Sequence, residues 1–227
     1  MAVNYMNHFD MKDLALYQEG GALLPCPDQW MGELEVKDSQ MVFHQFSRDS
    51  INYLDDDFAL KSLKQHHSYN IVFIMESPHL FEYDRSGQPL GLIMGQSGCH
   101  FFDMFADLLS KSRLRIKPRV YDVICINAIQ YQCSCGTHPL DSSVRDSNWL
   151  EIFHQRGGKE DLRKRIFALK PRYTINLCTG GKHPKGLRTI VSDALIEWGL
   201  KKGRHFTEGN HPASWNMNGN KKNAIIY

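Results

Sequence analysis

Three polar residues stand where apolar runs stop. Asn70-Ile71-Val72-Phe73-Ile74-Met75 empties into Glu76-Ser77-Pro78-His79; Val123-Ile124-Cys125-Ile126 runs into Asn127; His205-Phe206-Thr207-Glu208 leads to Asn210-His211-Pro212-Ala213. A carboxylate can stabilise developing positive charge or orient a water, and an amide offers a donor and an acceptor side by side. An imidazole can donate to an oxygen that gains negative charge in a transition state. Each residue also has a plainer role open to it: Glu76 as an acceptor that holds its loop, Asn127 as a partner for backbone groups at a strand end, and His211-Pro212 as a rigid turn.

These positions matter because of the elements that precede them. Residues 70–75 read as an interior parallel strand, 120–129 as a second, 173–178 as a third and 205–208 as a short fourth. Phe101, Phe102, Phe105, Leu108 and Leu109 carry helical spacing. Trp149, Ile152 and Phe153 mark a short helix, Lys159 to Leu169 a longer one that stops before Pro171, and Leu187 to Trp198 another ended by Gly199. Alternating strands and helices predict an α/β fold, a three-layer sandwich around a central, mainly parallel four-stranded sheet. Ligands of such sheets bind beyond the carboxyl ends of the strands, where Glu76, Asn127 and His211 fall. Residues 1–68 are expected to form an N-terminal extension packed on a core of residues 69–227. Within them, Met41–Phe46 reads as a short strand, and Asp55-Asp56-Asp57 opens a helix.

The chain has 227 residues, an ordinary hydrophobic fraction of 42% and a net charge of +2. That charge is unevenly spread. Residues 1–69 hold eleven acidic against five basic residues, and residues 70–227 hold fourteen against twenty-two. A polyanionic partner therefore suits the second part. No apolar run is long enough to span a bilayer and no signal peptide is recognisable, so a cytoplasmic protein without a membrane partner is expected. Cys133 and Cys135 are too close for an ordinary metal knuckle; the cysteines read as reduced apolar residues, with no metal or cofactor implied.

Taken in order, Met75-Glu76-Ser77-Pro78-His79, Ile126-Asn127-Ala128-Ile129 and His211-Pro212-Ala213 resemble the three motifs of the uracil-DNA glycosylase superfamily. The first is closest to its Gly-Glu-Ala-Pro-Gly variant, and the likeness spans roughly residues 69–216. It implies a uracil-DNA glycosylase-like domain that hydrolyses the N-glycosidic bond of a base flipped from DNA. Glu76, His211 and Ser77 would then be catalytic, while Asn127 would read the base edge with help from His79. This chain departs from the family in having Ser77 where its most active branch has aspartate. It also lacks an aromatic residue in Gly91-Leu92-Ile93-Met94, where the resemblance implies that the base is stacked; Met94 or Ile93, or else Phe101 or Phe102, is expected to supply the platform instead. The four-cysteine iron–sulfur pattern of some relatives is not recognisable.

The resemblance further implies a monomer whose partner is DNA containing an altered pyrimidine. Lys182, Lys185 and Arg188 at a helix start, and Ser214, Trp215, Lys221 and Lys222 in the last loop, are expected to meet that DNA. The altered first motif and the missing aromatic point to a modified base, hypermodified cytosine included, in place of plain uracil. Two other readings stay open: a catalytically silent member that binds DNA or a flipped base, and a hydrolase of a free nucleoside or nucleotide.

Overall fold

The computed structural model describes residues 24–38, 40–45, 69–79, 82–84, 87–93, 96–112, 114–133, 142–181 and 183–215. In chain order these form β1 (Gln29–Lys37), β2 (Gln40–Gln45), β3 (Asn70–Met75), α1 (Gln96–Ser110), β4 (Arg119–Asn127), α2 (Ser142–Gln155), α3 (Gly158–Leu169), β5 (Tyr173–Asn176), α4 (Leu187–Glu197), β6 (Phe206–Glu208) and a 3-10 turn at Pro212–Ser214. The helix expected from Asp55 lies outside the described residues.

The expected fold class holds as an α/β layered structure, but the sheet has six strands, not four, in the order β2-β1-β4-β3-β5-β6. The four expected strands are its parallel part. The two additional ones come from residues read as an extension: β2 is the short strand expected at Met41–Phe46, and it pairs with β1, which was not expected and runs antiparallel beside β4, from Gln29 opposite Cys125 to Val36 opposite Arg119. In β1, Leu34 and Val36 are buried while Glu33 and Glu35 are partly exposed, the alternation of a strand covered on one face. A register irregularity between Trp30 and Gly32 interrupts that alternation. The alternation of Glu33–Lys37 is nonetheless a strand signal that the reading of residues 1–68 as an extension passes over.

Each face of the sheet is covered. Ile71 and Phe73 of β3 with Val123 and Cys125 of β4 pack against Phe101, Phe105 and Leu109 of α1. Val72, Ile74, Ile124 and Ile126 pack on the other face against Trp149 and Phe153 of α2, Leu162 and Ile166 of α3, and Val191 and Leu195 of α4. Trp149 lies on a helix of 14 residues, longer than the short one expected. Right-handed crossovers explain the split: β3 to β4 moves one way along the sheet, whereas β4 to β5 and β5 to β6 move the other, so their helices fall on opposite faces. The chain thus leaves the neighbouring ends of β3 and β5 toward opposite layers, the arrangement that opens a crevice in parallel sheets.

Candidate functional site at the strand carboxyl ends

Glu76 follows β3 at this divergence and is 7% exposed. Its carboxylate is held from both sides: Arg145 Nη1 lies 2.9 Å from Oε1, and the backbone N–H of Thr179, just past β5, donates to Oε2 at 3.0 Å. Its carbonyl oxygen accepts from Trp149 Nε1 at 2.8 Å and from the backbone N–H of Ile129 at 3.1 Å. Side chain and main chain are both fixed by neighbouring elements. Arg145 also grips Asp146 Oδ1 through Nε and Nη2 at 2.9 and 2.6 Å. Burial works against its charge, but Glu76 and Asp146 outweigh burial and hold the guanidinium above its ordinary range. Asp146 Oδ2 accepts from the His183 backbone N–H at 3.2 Å. It sits so near Gly181, whose φ is 65°, that a Cβ there would come within 2.7 Å of it. That glycine lets the loop after β5 close over the acid.

Asn127 ends β4 directly beside Met75 and is 2% exposed. Among the described residues its buried Nδ2 has no hydrogen-bond partner, an uncommon state for an amide donor. Its backbone is anchored from α3, where Arg165 Nη2 reaches the carbonyls of Asn127 and Ala128 at 3.0 and 3.3 Å. The same guanidinium pairs with Asp28 at 2.8 Å through Nη1 and Asp161 at 2.8 Å through Nε. Burial raises the Asp28 carboxyl above its usual range against the opposing pull of Arg165. The loop after β3 has its own staple in buried Glu82, which accepts from the backbone N–H groups of Ile93 at 2.6 Å and His79 at 3.2 Å. Burial pushes its carboxyl up to about 7.

His211 follows β6 and turns back toward the same crevice. Its Nδ1 accepts from the backbone N–H of Ala213 at 3.3 Å, inside the 3-10 turn that Pro212 begins. The ring proton of the neutral imidazole is then assigned to Nε2, which is left as a donor. Burial lowers the His211 pKa; Glu76 opposes this, while Arg145, Arg188 and His79 add to it. Those influences place His211 near the groups that follow β3 and β5, Glu76, His79 and Arg188, with Arg145 beside them. His79 is lowered as well, by burial against the pull of Glu76. The loop is held from outside by α1, where His100 Nδ1 lies 3.1 Å from the Pro212 carbonyl oxygen, and from within by Ser214 Oγ, which donates to the His211 carbonyl at 2.7 Å.

The remaining expected residues divide. Ser77 is partly exposed in the turn after Glu76 and His79 is exposed beside it. Phe101 is 0% exposed and packs against Phe73, Phe105 and Trp215, so it is part of the core and not an open platform. Phe102 is partly buried and stacks on Phe43 of β2. Trp215 is 1% exposed with Nε1 bonded to the Asn210 carbonyl at 2.7 Å; it anchors the last loop and presents no wedge. Arg188 spans the loops after β5 and β6, donating to the Cys178 carbonyl at 2.9 Å and to Asn210 Oδ1 at 3.2 Å. Lys185 pairs with Asp193 at 2.6 Å. The start of α4 is satisfied internally, because Leu187 and Arg188 donate their backbone N–H groups to the carbonyls of Gly180 and Thr179. Met94, Lys182, Lys221 and Lys222 lie outside the described residues.

Arg145, Asp146, Glu82 and Arg165 were missed from the sequence. Arg165 had a signal: Gly158, Leu162 and Leu169 form the buried stripe of α3, and residue 165 falls at its spacing. A cleft of about 750 Å³ lies elsewhere, walled by residues of α2 and α4 such as Ser147, His154 and Glu197. Its Lys185–Asp193 and Lys159–Glu197 pairs are closed on themselves, whereas the strand-end groups converge. No helix among the described residues is long and apolar enough to cross a membrane. Compared with protein-family models, curated proteins and solved structures, the chain gives no significant match.

Proposed function

We propose that this chain is a DNA glycosylase that hydrolyses the N-glycosidic bond of a uracil-like or modified pyrimidine flipped from DNA. The observation that carries the reading is His211. Its imidazole is biased toward the neutral form and oriented to donate through Nε2, in the electrostatic neighbourhood of the buried Glu76 carboxylate. Breaking the bond from the base nitrogen to the anomeric carbon sends the electron pair to the base and leaves positive charge on the sugar. A neutral N–H donor stabilises the first charge and a carboxylate the second.

Glu76 keeps acceptor capacity for this task. A carboxylate has about four acceptor sites, and Arg145 and Thr179 occupy one on each oxygen. The remaining positions can orient the water whose oxygen bonds to the anomeric carbon. The Nδ2 of Asn127, without a partner among the described residues, suits an acceptor on the base edge. It is closed off from solvent, so the base would meet it only once the side chain turns or the loops around it part, a step that base extrusion would have to drive.

One observation favours a silent, base-binding member of the fold: Arg145 already neutralises much of the negative charge of Glu76. Base release distinguishes the two. DNA carrying uracil, thymine mismatches, or hydroxymethylated or glucosylated cytosine is incubated with wild type and with Glu76→Ala, Asn127→Ala and His211→Ala. Release by wild type, reduced about 100- to 1,000-fold in His211→Ala, is expected. No release from any substrate, with binding that Asn127→Ala abolishes, would establish the silent reading. Full activity in all three variants would sink the site assignment.

A further inference from the structure

The exposed cations of the described residues fall into two sets. Lys37, Lys111, Arg156, Lys185 and Lys202, among others, each face a carboxylate within 4 Å. Arg115, Lys117, Lys170, Arg172, Lys201 and Arg204 are exposed and take part in no ion pair among the described residues. All six lie in the loops that enter β4, β5 and β6, at the amino end of the parallel sheet and opposite the candidate site. Residues 111–119, 170–172 and 200–205 contain no Asp or Glu. Lys164, also exposed and unpaired, lies on α3, which runs down toward the same end.

The three loops form one surface. Tyr173 at the start of β5 donates its hydroxyl to the Arg115 carbonyl at 2.9 Å, tying the loop before β4 to β5 across β3. His205, before β6, is lowered by burial and then by Arg204, Lys201 and Arg172, so the cations of two loops act on one imidazole. Four adjacent strands span roughly 15 Å, so neighbouring charges lie within about a Debye length of one another and present a common field.

We infer that this amino-end face is a second nucleic-acid surface, one that grips the phosphate backbone of duplex DNA without reading its bases. The chemistry of the face selects that occupant. Three of the six cations are arginines, whose planar forks match phosphate oxygens. A membrane-surface site would also need apolar side chains to insert. Tyr69 is the large exposed hydrophobic residue at the start of β3, and the Arg119 guanidinium covers its ring at 3.9 Å. Phe167, near the end of α3, is another large apolar side chain exposed here, and the Arg163 guanidinium lies 5.5 Å from its ring; two separate rings, each with a guanidinium beside it, do not make the contiguous apolar centre that a protein interface needs. A phosphate polymer needs only spaced cations. The surface stands apart from the reading of the strand-end site and holds whether or not that site cleaves a base.

The test is the salt dependence of binding to an unmodified duplex of about 20 base pairs, which contains nothing to excise. Fluorescence anisotropy is recorded for the full chain, for Arg115→Gln with Lys117→Gln, for Lys201→Gln with Arg204→Gln, and for the four together. Each lost phosphate contact should lower the slope of log affinity against log salt by about 0.9, so each pair should remove about 2 and the four about 3 to 4. A control, Arg156→Gln with Arg163→Gln on paired surface cations, should leave the slope unchanged. Equal slopes for wild type and the fourfold variant, or an equal loss in the control, overturn the proposal. Binding to anionic lipid vesicles through the same residues, with duplex binding unaffected, assigns the face to a membrane and also overturns it. The two pairs lie on separate loops, so misfolding of one variant leaves the other as the test.

Discussion

Replacing Arg165 by methionine should expose how the end of β4 is held. The side chains of Arg165, Asp28 and Asp161 are only 14%, 8% and 12% exposed, and Arg165 also serves two backbone carbonyls. Methionine fills similar volume but leaves Asp28 buried with Gln130 as a long, 3.4 Å donor. Removing one partner of a buried pair costs about 3–5 kcal/mol, a large share of a total stability of about 5–15 kcal/mol. With an m value of about 2 kcal/mol per molar urea, the midpoint should fall by roughly 1.5–2.5 M. The loss must depend on pH. Burial already raises Asp28, and without Arg165 only the long Gln130 bond opposes that push, so the folded variant binds a proton that the unfolded chain releases near its ordinary pKa of about 4. The deficit should therefore shrink as pH falls from 7 toward 4. The double variant Asp28→Asn with Arg165→Met should recover at least half of it at pH 7. Urea titrations at both pH values check this. A loss below about 1 kcal/mol, or one that is the same at both pH values, would refute the idea that an uncompensated buried charge is its cause.

Two further outcomes follow from the loops. Glu82 has a folded-state pKa of about 7, above its unfolded value of about 4.5, so its ionisation opposes folding as pH rises through that window. Wild type should lose about 3 kcal/mol relative to Glu82→Gln between pH 4.5 and 7.5, and parallel pH curves for the two would contradict this. His211 should appear in long-range nitrogen–proton spectra as the Nε2–H tautomer, with a titration midpoint below 6.5. An Nδ1–H tautomer, or a midpoint above 6.5, would remove the donor on which the proposed function rests.

The parallel strands were legible because burial on both faces writes itself as unbroken apolar runs, as in Asn70–Met75. Strand β1 was overlooked although Glu33-Leu34-Glu35-Val36-Lys37 carries the alternation of a strand covered on one face; only its first half, before the irregularity at Gly32, departs from that pattern. Glu76, Asn127 and His211 were legible by position, each following a run that ends at the carboxyl edge of the parallel strands. Their partners were not. Arg145 reaches Glu76 from 69 positions away in a helix whose apolar stripe is weak, and no local pattern encodes that meeting. Trp215 and Phe101 were misjudged for a related reason: an aromatic near a polar loop reads as available until its ring is known to close a core.

Where the charge sits bears on the chemistry. Around the strand ends, Glu76 and Asp146 are balanced by Arg145 and Arg188, while the unpaired cations gather at the other end of the sheet. A strongly positive pocket would attract phosphate, but it would also oppose a positively charged sugar at the moment the glycosidic bond breaks. A neutral pocket with a fixed carboxylate on one side and a fixed N–H donor on the other favours charge separation without favouring either ion alone. On the proposed function and the proposed amino-end surface, these two demands on charge, which conflict at a single place, would fall to opposite ends of one sheet: phosphate attraction to the unpaired cations and charge separation to the balanced carboxyl end.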